Sequence, residues 1–202
     1  MKVALIGASG TGGSRLLAEL SGRGHQVTAI ARHPEMVAKL PGVTAKRGDV
    51  FDKAGLGALL KGHDAVISAV RFSESNPKLL IDAVKGSGVK RYFVVGGASS
   101  LEVAPGVKLI DTPQFPAAHK AEANKGGEFL DLLRKDKDLD WTFLSPSAMI
   151  APGERTGKFR LGKDQLLTND KGSSVSWEDY AIAAVDELEK PAHVRERFTV
   201  GY

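Results

Sequence analysis

The residues with the clearest chemistry lie in the first fifty positions. Gly7-Ala8-Ser9-Gly10-Thr11-Gly12-Gly13 follows the apolar run Val3 to Ile6 and precedes a stretch with helical spacing. A glycine-rich turn between a strand and a helix brings main-chain amides, and the positive end of the helix dipole, against a phosphate or pyrophosphate. Gly7 permits the tight turn, Gly10 lets the backbone approach the phosphates, and Gly13 allows the helix to pack on the strand. Ser9, Thr11 and Gly12 complete a cradle of small residues. The spacing is Gly-x-x-Gly-x-x-Gly, and a glycine triplet alone is also what an ordinary turn contains. Its place after a strand and before a helix is what points to a dinucleotide.

The second signal is Arg32, at the end of Ala29-Ile30-Ala31-Arg32-His33. A carboxylate at the end of the second strand accepts hydrogen bonds from a plain adenosine ribose. A guanidinium there suits a 2′-phosphate instead, which favours NADP(H) over NAD(H). The alternative is that Arg32 is a solvated first residue of the next helix. Asp49, followed by Val50, sits after the third strand, where its carboxylate can accept from an adenine amino group or cap a helix. Ala69, Val70, Gly96 and Pro146, at the ends of the later strands, complete the expected cofactor-binding set.

Positioning these residues requires alternating strands and helices, and the chain supplies them. The spacing predicts a helix through Arg15, Leu16, Leu17 and Leu20, a strand over 27–31, a short helix near 35–40 and a strand over 43–46. A second set follows, with helices over 56–60, 78–89 and 122–133 and strands over 65–70, 92–95 and 141–144. Near-continuous Val, Ile and Ala runs mark strands buried on both faces. The expected fold is therefore α/β, a doubly wound parallel sheet with right-handed crossovers.

After residue 145 the pattern turns to Gly, Pro and scattered charge. We expect one domain over 1–202, with a core over 1–145, an irregular flap over the cleft at 146–175 carrying at most a short hairpin, and a final helix and edge strand over 176–202. Ser176 with Asp179 forms a near-capping box, and Trp177, Tyr180, Ala181, Ala184, Val185 and Leu188 share one helix face. Pro191 stops that helix.

At 202 residues, 42% hydrophobic and 26% charged, the chain can bury one substantial core. It has no cysteine, which excludes disulfides and thiolate chemistry and suggests a reducing, cytoplasmic setting. The apolar run at the start is too short for a signal-peptide core, and no later stretch approaches a membrane span. The net charge of +4 comes from Lys and Arg interspersed with Asp and Glu, without a basic stripe, so neither nucleic acid nor membrane is an expected partner. Oligomeric state, monomer or homodimer, is left open.

Other site types fail on spacing. Residues 153–158 lack one residue of a P-loop and have Phe159 after the lysine. Residues 136–140 begin like a calcium loop, but Trp141 stands where its glycine belongs. Residues 97–101 lack the second glycine of a nucleophile elbow. The histidines, His25, His33, His63, His119 and His193, show no metal-ligand spacing, and no metal is expected.

Taken together, the chain resembles the atypical short-chain dehydrogenases with an NAD(P)H-binding domain, in particular the small bacterial NADH-flavin reductase group of the NmrA-like and epimerase-like superfamily. Gly7 to Gly13, Arg32 and Gly48-Asp49-Val50 carry the first half of the likeness. The segments 140–146, 152–157, 177–181 and 197–202 carry the second, so the resemblance spans the chain. It implies hydride transfer from a nicotinamide to a flavin, such as FMN, or a quinone.

Short-chain dehydrogenases acting on ketones use Tyr-x-x-x-Lys, the lysine lowering the tyrosine pKa for proton transfer. Here Tyr92 precedes Gly96 by four, Tyr180 precedes Ala184 by four, and Tyr202 ends the sequence, so none forms that pair. The remaining catalytic candidates are Ser99, beside a nicotinamide or capping its loop, and Lys120 and His119, which could orient a ribose and shuttle a proton or be solvated helix residues. Arg155, Lys158, Arg160 and Lys163 on the flap could attract a flavin phosphate or simply face solvent. Three function classes follow: an NAD(P)H-dependent flavin or quinone reductase, a non-catalytic NADP(H)-binding redox sensor, and a sugar-nucleotide epimerase or dehydratase.

Overall fold

The structure, a computed structural model, describes all 202 residues. In chain order the elements are β1 (Lys2–Ile6), α1 (Thr11–Gly22), β2 (Gln26–Ala31), β3 (Val43–Arg47), α2 (Lys53–Leu60), β4 (Ala65–Ser68), α3 (Pro77–Ser87), β5 (Arg91–Val95), β6 (Glu102–Ala104), β7 (Val107–Lys108), α4 (Lys120–Lys135), β8 (Asp140–Ser145), β9 (Met149–Ala151), β10 (Arg160–Gly162), β11 (Ser174–Ser176), α5 (Trp177–Glu189) and β12 (Glu196–Gly201). The main sheet has the order β10-β12-β8-β5-β4-β1-β2-β3. Every pair in it is parallel except β10 with β12. This is the doubly wound Rossmann arrangement.

The unbroken apolar runs have a direct cause. Val3 and Leu5 enter the core on one face, with α1 and α5, while Ala4 and Ile6 enter the core on the other, with α2, α3 and α4. The two cores are nearly equal, 23 and 20 buried residues, so neither face of the central strands has room for polar alternation.

Helix starts follow their caps. Asn76 accepts from the Lys78 and Leu79 amides ahead of α3, which Gly88 ends in the left-handed conformation at φ 83°. Asp52 accepts from Gly55 at the start of α2. Ser176 accepts from the Asp179 amide at 3.0 Å, as the near-capping box predicts. The Asp179 carboxylate does not complete that box. It is fully buried and accepts from Thr156 Oγ1, the Gly157 amide and Tyr202 Oη, binding residues 156–157 and the last residue to α5.

Three expectations need correction. The helix near 35–40 is a single 3-10 turn at Pro34–Met36, because Val37 turns extended and inserts into the core. The last strand is not an edge: β12 lies between β8 and β10, and β10 caps the sheet antiparallel. The strands within 146–175 do not pair with one another as an antiparallel hairpin, since β9 pairs parallel with β11 and β10 with β12; the one antiparallel bridge inside the segment is Asn169 with Gly172. The small hairpin is β6–β7, turning at Pro105-Gly106.

The glycines of the first turn set the closest packing. A side chain at Gly13 would collide with the Gly7 carbonyl, and one at Gly12 with the Trp177 ring of α5. Gly13→Ala should therefore cost about 1–3 kcal/mol in urea denaturation. Gly22→Ala, in the same helix with nothing nearby, should stabilise by about 0.5 kcal/mol. A gain at both would mean that helix propensity rather than contact with Gly7 is what matters.

Acid should expose the buried carboxylates. Burial alone would raise the Asp179 carboxyl, but the donors around it outweigh burial and hold it below the usual range. Arg155, whose hydrogen bonds dominate over burial, does the same for Glu19, helped by Arg23. Each depressed group adds stability that is present above the unfolded carboxyl pKa, about 4, and is lost as pH falls through the lower native value. Asp179→Asn should be less stable at neutral pH and lose less on acid titration than the parent. Parallel acid curves for the two proteins would remove Asp179 from that account.

Candidate functional site

At the carboxyl ends of β1 to β4 a cavity of about 370 Å³ opens, of a size suited to a small ligand. Its floor is the first turn. Gly7 donates to the Ile30 carbonyl at 2.9 Å and Gly10 to the Gly7 carbonyl at 3.1 Å, so the loop is fixed between β1 and β2. Gly7 is left-handed at φ 85°, and a side chain there would strike the Ala69 carbonyl, so the end of β4 also rests on this turn. Gly10 caps α1 without a side-chain hydrogen bond, and the first turn of α1 contains no acidic residue. The helix thus presents its amide end without an internal anion.

One wall is apolar: Ile6, Ile30, Val50, Phe51 and Leu56. Phe51 lines it while remaining 59% exposed. Asp49 accepts from the Phe51 amide at 2.9 Å, which sets the turn that carries the ring. Since Asp52 caps α2, Asp49 is not the helix cap. The rim holds Arg32 and His33, and a neighbouring depression of about 390 Å³ adds Arg47 and Asp52. Opposite stand Ala69, Val70, Arg71 and Glu74.

Of the residues expected to bind cofactor, Gly7, Ser9, Gly10, Arg32, Asp49, Val50, Ala69 and Val70 line this cavity. Thr11, Gly12, Gly13, Gly96 and Pro146 lie outside its lining. Thr11 begins α1, whereas Gly12 and Gly13 serve the packing described above. Gly96 is buried against the Phe143 ring and donates to the Leu144 carbonyl at 2.9 Å. Pro146 is buried at the end of β8.

The three catalytic candidates are not brought together by any hydrogen bond. Ser99 is 9% exposed, and its hydroxyl donates to the Ala123 carbonyl in α4 at 3.3 Å. His119 and Lys120 are exposed at the start of α4. The tyrosines are committed elsewhere. Tyr92 is buried in β5, and Tyr180 donates from within the core to the Leu144 carbonyl at 2.7 Å. Burial pushes both phenols far above the usual tyrosine value. Tyr202 donates to Asp179. No phenol lines the cavity.

Residues 146–175 contribute nothing to the lining. Arg155 forms two hydrogen bonds of 2.9 Å to Glu19 on α1, and Arg160 donates to the Thr168 and Tyr202 carbonyls. These two side chains are therefore engaged within the fold, while Lys158 and Lys163 are exposed.

Sequence reasoning missed Phe51, Arg71 and Glu74 in the lining and Arg47 beside it. The rule that ligands sit beyond the carboxyl ends of the strands would have found Arg71, three residues after β4. It also missed Glu122, which accepts from the Phe72 and Ser73 amides at 2.7 Å each and fixes the 72–74 turn from α4. Burial would raise the Glu122 carboxyl, but the Ser73 and Phe72 donors hold it low.

Comparison with known proteins shows likeness over the whole chain. A Burkholderia pseudomallei structure, of a protein suggested to be exported, is 47% identical with a TM-score of 0.91 over 100% of both chains. A Bacteroides thetaiotaomicron protein suggested to be an epimerase is 45% identical, with a TM-score of 0.94 over 100% of this chain and 96% of that one. A Streptococcus pneumoniae protein suggested to be an NADH-flavin reductase is 37% identical, with a TM-score of 0.84 over 100% and 99%. The profile of a family described as NAD(P)H-binding matches residues 7–191, so the chain belongs to that NAD(P)H-binding family.

Proposed function

We propose that this NAD(P)H-binding, oxidoreductase-like protein takes NADP(H) in preference to NAD(H) and delivers its hydride to a flavin or quinone. The observation that carries this reading is the cavity itself: a helix start capped by a residue with no side chain, an apolar wall with an exposed aromatic ring, and a guanidinium on the rim where an NAD enzyme has a carboxylate. The amides around Gly10 would hold the pyrophosphate, and Val50, Phe51 and Leu56 the adenine. Arg32, with His33 and Arg47 nearby, would meet a 2′-phosphate.

The bound nicotinamide would supply the hydride. The chain supplies no positioned phenol to protonate an alkoxide, which argues against ketone reduction. A flavin or quinone delocalises the incoming charge until water protonates it, so alignment of two rings is the main requirement. The epimerase suggested for the Bacteroides relative fits less well, because that chemistry uses the same missing phenol. A cytoplasmic setting, with its supply of reduced nicotinamide, suits this reaction, and no helix is long and apolar enough to cross a membrane.

A redox sensor is the second reading. It is favoured by Ser99, whose hydroxyl is engaged with the Ala123 carbonyl rather than aimed at a reactant. The two readings separate in one assay, the loss of nicotinamide absorbance with NADPH or NADH in the presence of FMN, riboflavin or a small quinone. Acceptor-dependent oxidation above background, faster with NADPH, is expected. Tight NADPH binding with no oxidation by any acceptor would replace the reductase with the sensor. The cofactor preference has its own check: Arg32→Asp should reverse the preference for NADPH over NADH, and unchanged affinities for both would remove Arg32 from the 2′-phosphate.

A further inference from the structure

Glu74 stands between two guanidiniums at the mouth of the cavity. Its Oε2 is 3.2 Å from Arg32 Nη2, and its Oε1 is 3.7 Å from Arg71 Nη1. All three side chains line the same space. They are 47%, 71% and 73% exposed for Glu74, Arg32 and Arg71, and exposed ion pairs contribute little to holding a fold together. Stability is therefore a poor account of why an acid sits there.

The turn that presents Glu74 is nonetheless firmly built. Glu122 takes two consecutive amides of the turn at 2.7 Å, and Ser75 Oγ donates back to the Arg71 carbonyl at 2.9 Å. Phe72 is buried with its ring packed where a side chain at Gly126 would fall. The fold thus places a carboxylate against the very guanidinium expected to meet a ligand phosphate.

A carboxylate and a phosphate are alternative acceptors for one planar donor fork. We infer that Glu74 is a specificity-determining residue, an internal anion that competes with the ligand for Arg32 and sets how strongly the site prefers a 2′-phosphorylated ribose to a plain one. This rests on the reading of Arg32 given under the proposed function. The competition falls on the ligand whose extra charge needs Arg32, and it barely touches one that does not. Glu74 therefore limits the NADP(H) preference that Arg32 creates.

The test is titration of NADPH and NADH into the parent protein, Glu74→Gln, Arg32→Ala and the double variant, with thermal melts to establish that each is folded. Glu74→Gln should tighten NADPH roughly fivefold, the upper scale of exposed charge pairs, and leave NADH within about twofold. The gain should vanish when Arg32 is already alanine, because the competition then has no object. Unchanged or weaker NADPH binding, an equal gain for both nucleotides, or a gain that survives the loss of Arg32 would each overturn the role of Glu74. A parent that binds neither nucleotide would overturn the reading beneath it as well. A parent that binds NADPH but does not respond to Glu74→Gln overturns this inference alone.

Discussion

At Gly13 the first turn of α1 rests on the Gly7 carbonyl with no room for a methyl group, and much of the cavity follows from that contact. It brings the start of the helix directly over the end of β1, so the amide end of α1 faces the space beyond the sheet. Two neighbouring contacts extend it. Gly7 rests against the Ala69 carbonyl after β4, and Gly12 lies beneath the Trp177 ring at the start of α5. Two of these glycines thus join β1, α1 and β4 at backbone distance, and the third seats the Trp177 ring of α5 on α1. A larger residue at any of them would push one element away and widen the cradle.

The charged residues divide into two populations. Along α1 and α5, Arg15, Arg23 and Arg155 pair with Glu178, Glu19, Asp186 and Glu189 in a surface network. At the amino-terminal edge of the sheet, Arg91 pairs with Glu187, while toward the carboxyl ends of β5 and β8 Arg197 joins Asp164 to the Ser100 and Ser145 hydroxyls. These cations hold elements together and have little left to offer a ligand. The cavity rim differs, because Arg32 and Arg71 share the single carboxylate of Glu74. Positive character at the rim is therefore local, which agrees with the absence of a basic stripe in the sequence.

The fold was legible because its signals are local. A strand buried on both faces must read as an apolar run, and Gly7 to Gly13 must be small wherever a helix starts on a strand end. The position of β12 was not legible. Its interior place depends on three residues, Arg160 to Gly162, pairing antiparallel with it across about forty positions of chain. So short a strand, flanked by glycine and charge, has no periodicity to detect. The site divides the same way. Arg32 was found because it ends a strand within a known motif. Glu74 was missed because the turn that presents it is shaped from outside, by Glu122 some fifty residues on. Gly96 shows the reverse case, a glycine at a strand end whose smallness is fully explained by the Phe143 ring.

The same long-range logic bears on chemistry. In the ketone reductases of the related dehydrogenases, the helix after the fifth strand supplies the tyrosine and lysine that handle a proton. Here the corresponding helix, α4, sends a carboxylate to the 72–74 turn and accepts the Ser99 hydroxyl on a main-chain carbonyl. Through Glu122 it holds the turn carrying Arg71 and Glu74. A helix that carries no tyrosine and positions this turn is consistent with an acceptor that stabilises its own charge, and equally with a site that binds its nucleotide and stops there. Under the proposed function, what separates those outcomes is whether an acceptor ring can align over the nicotinamide, in the space beyond β5.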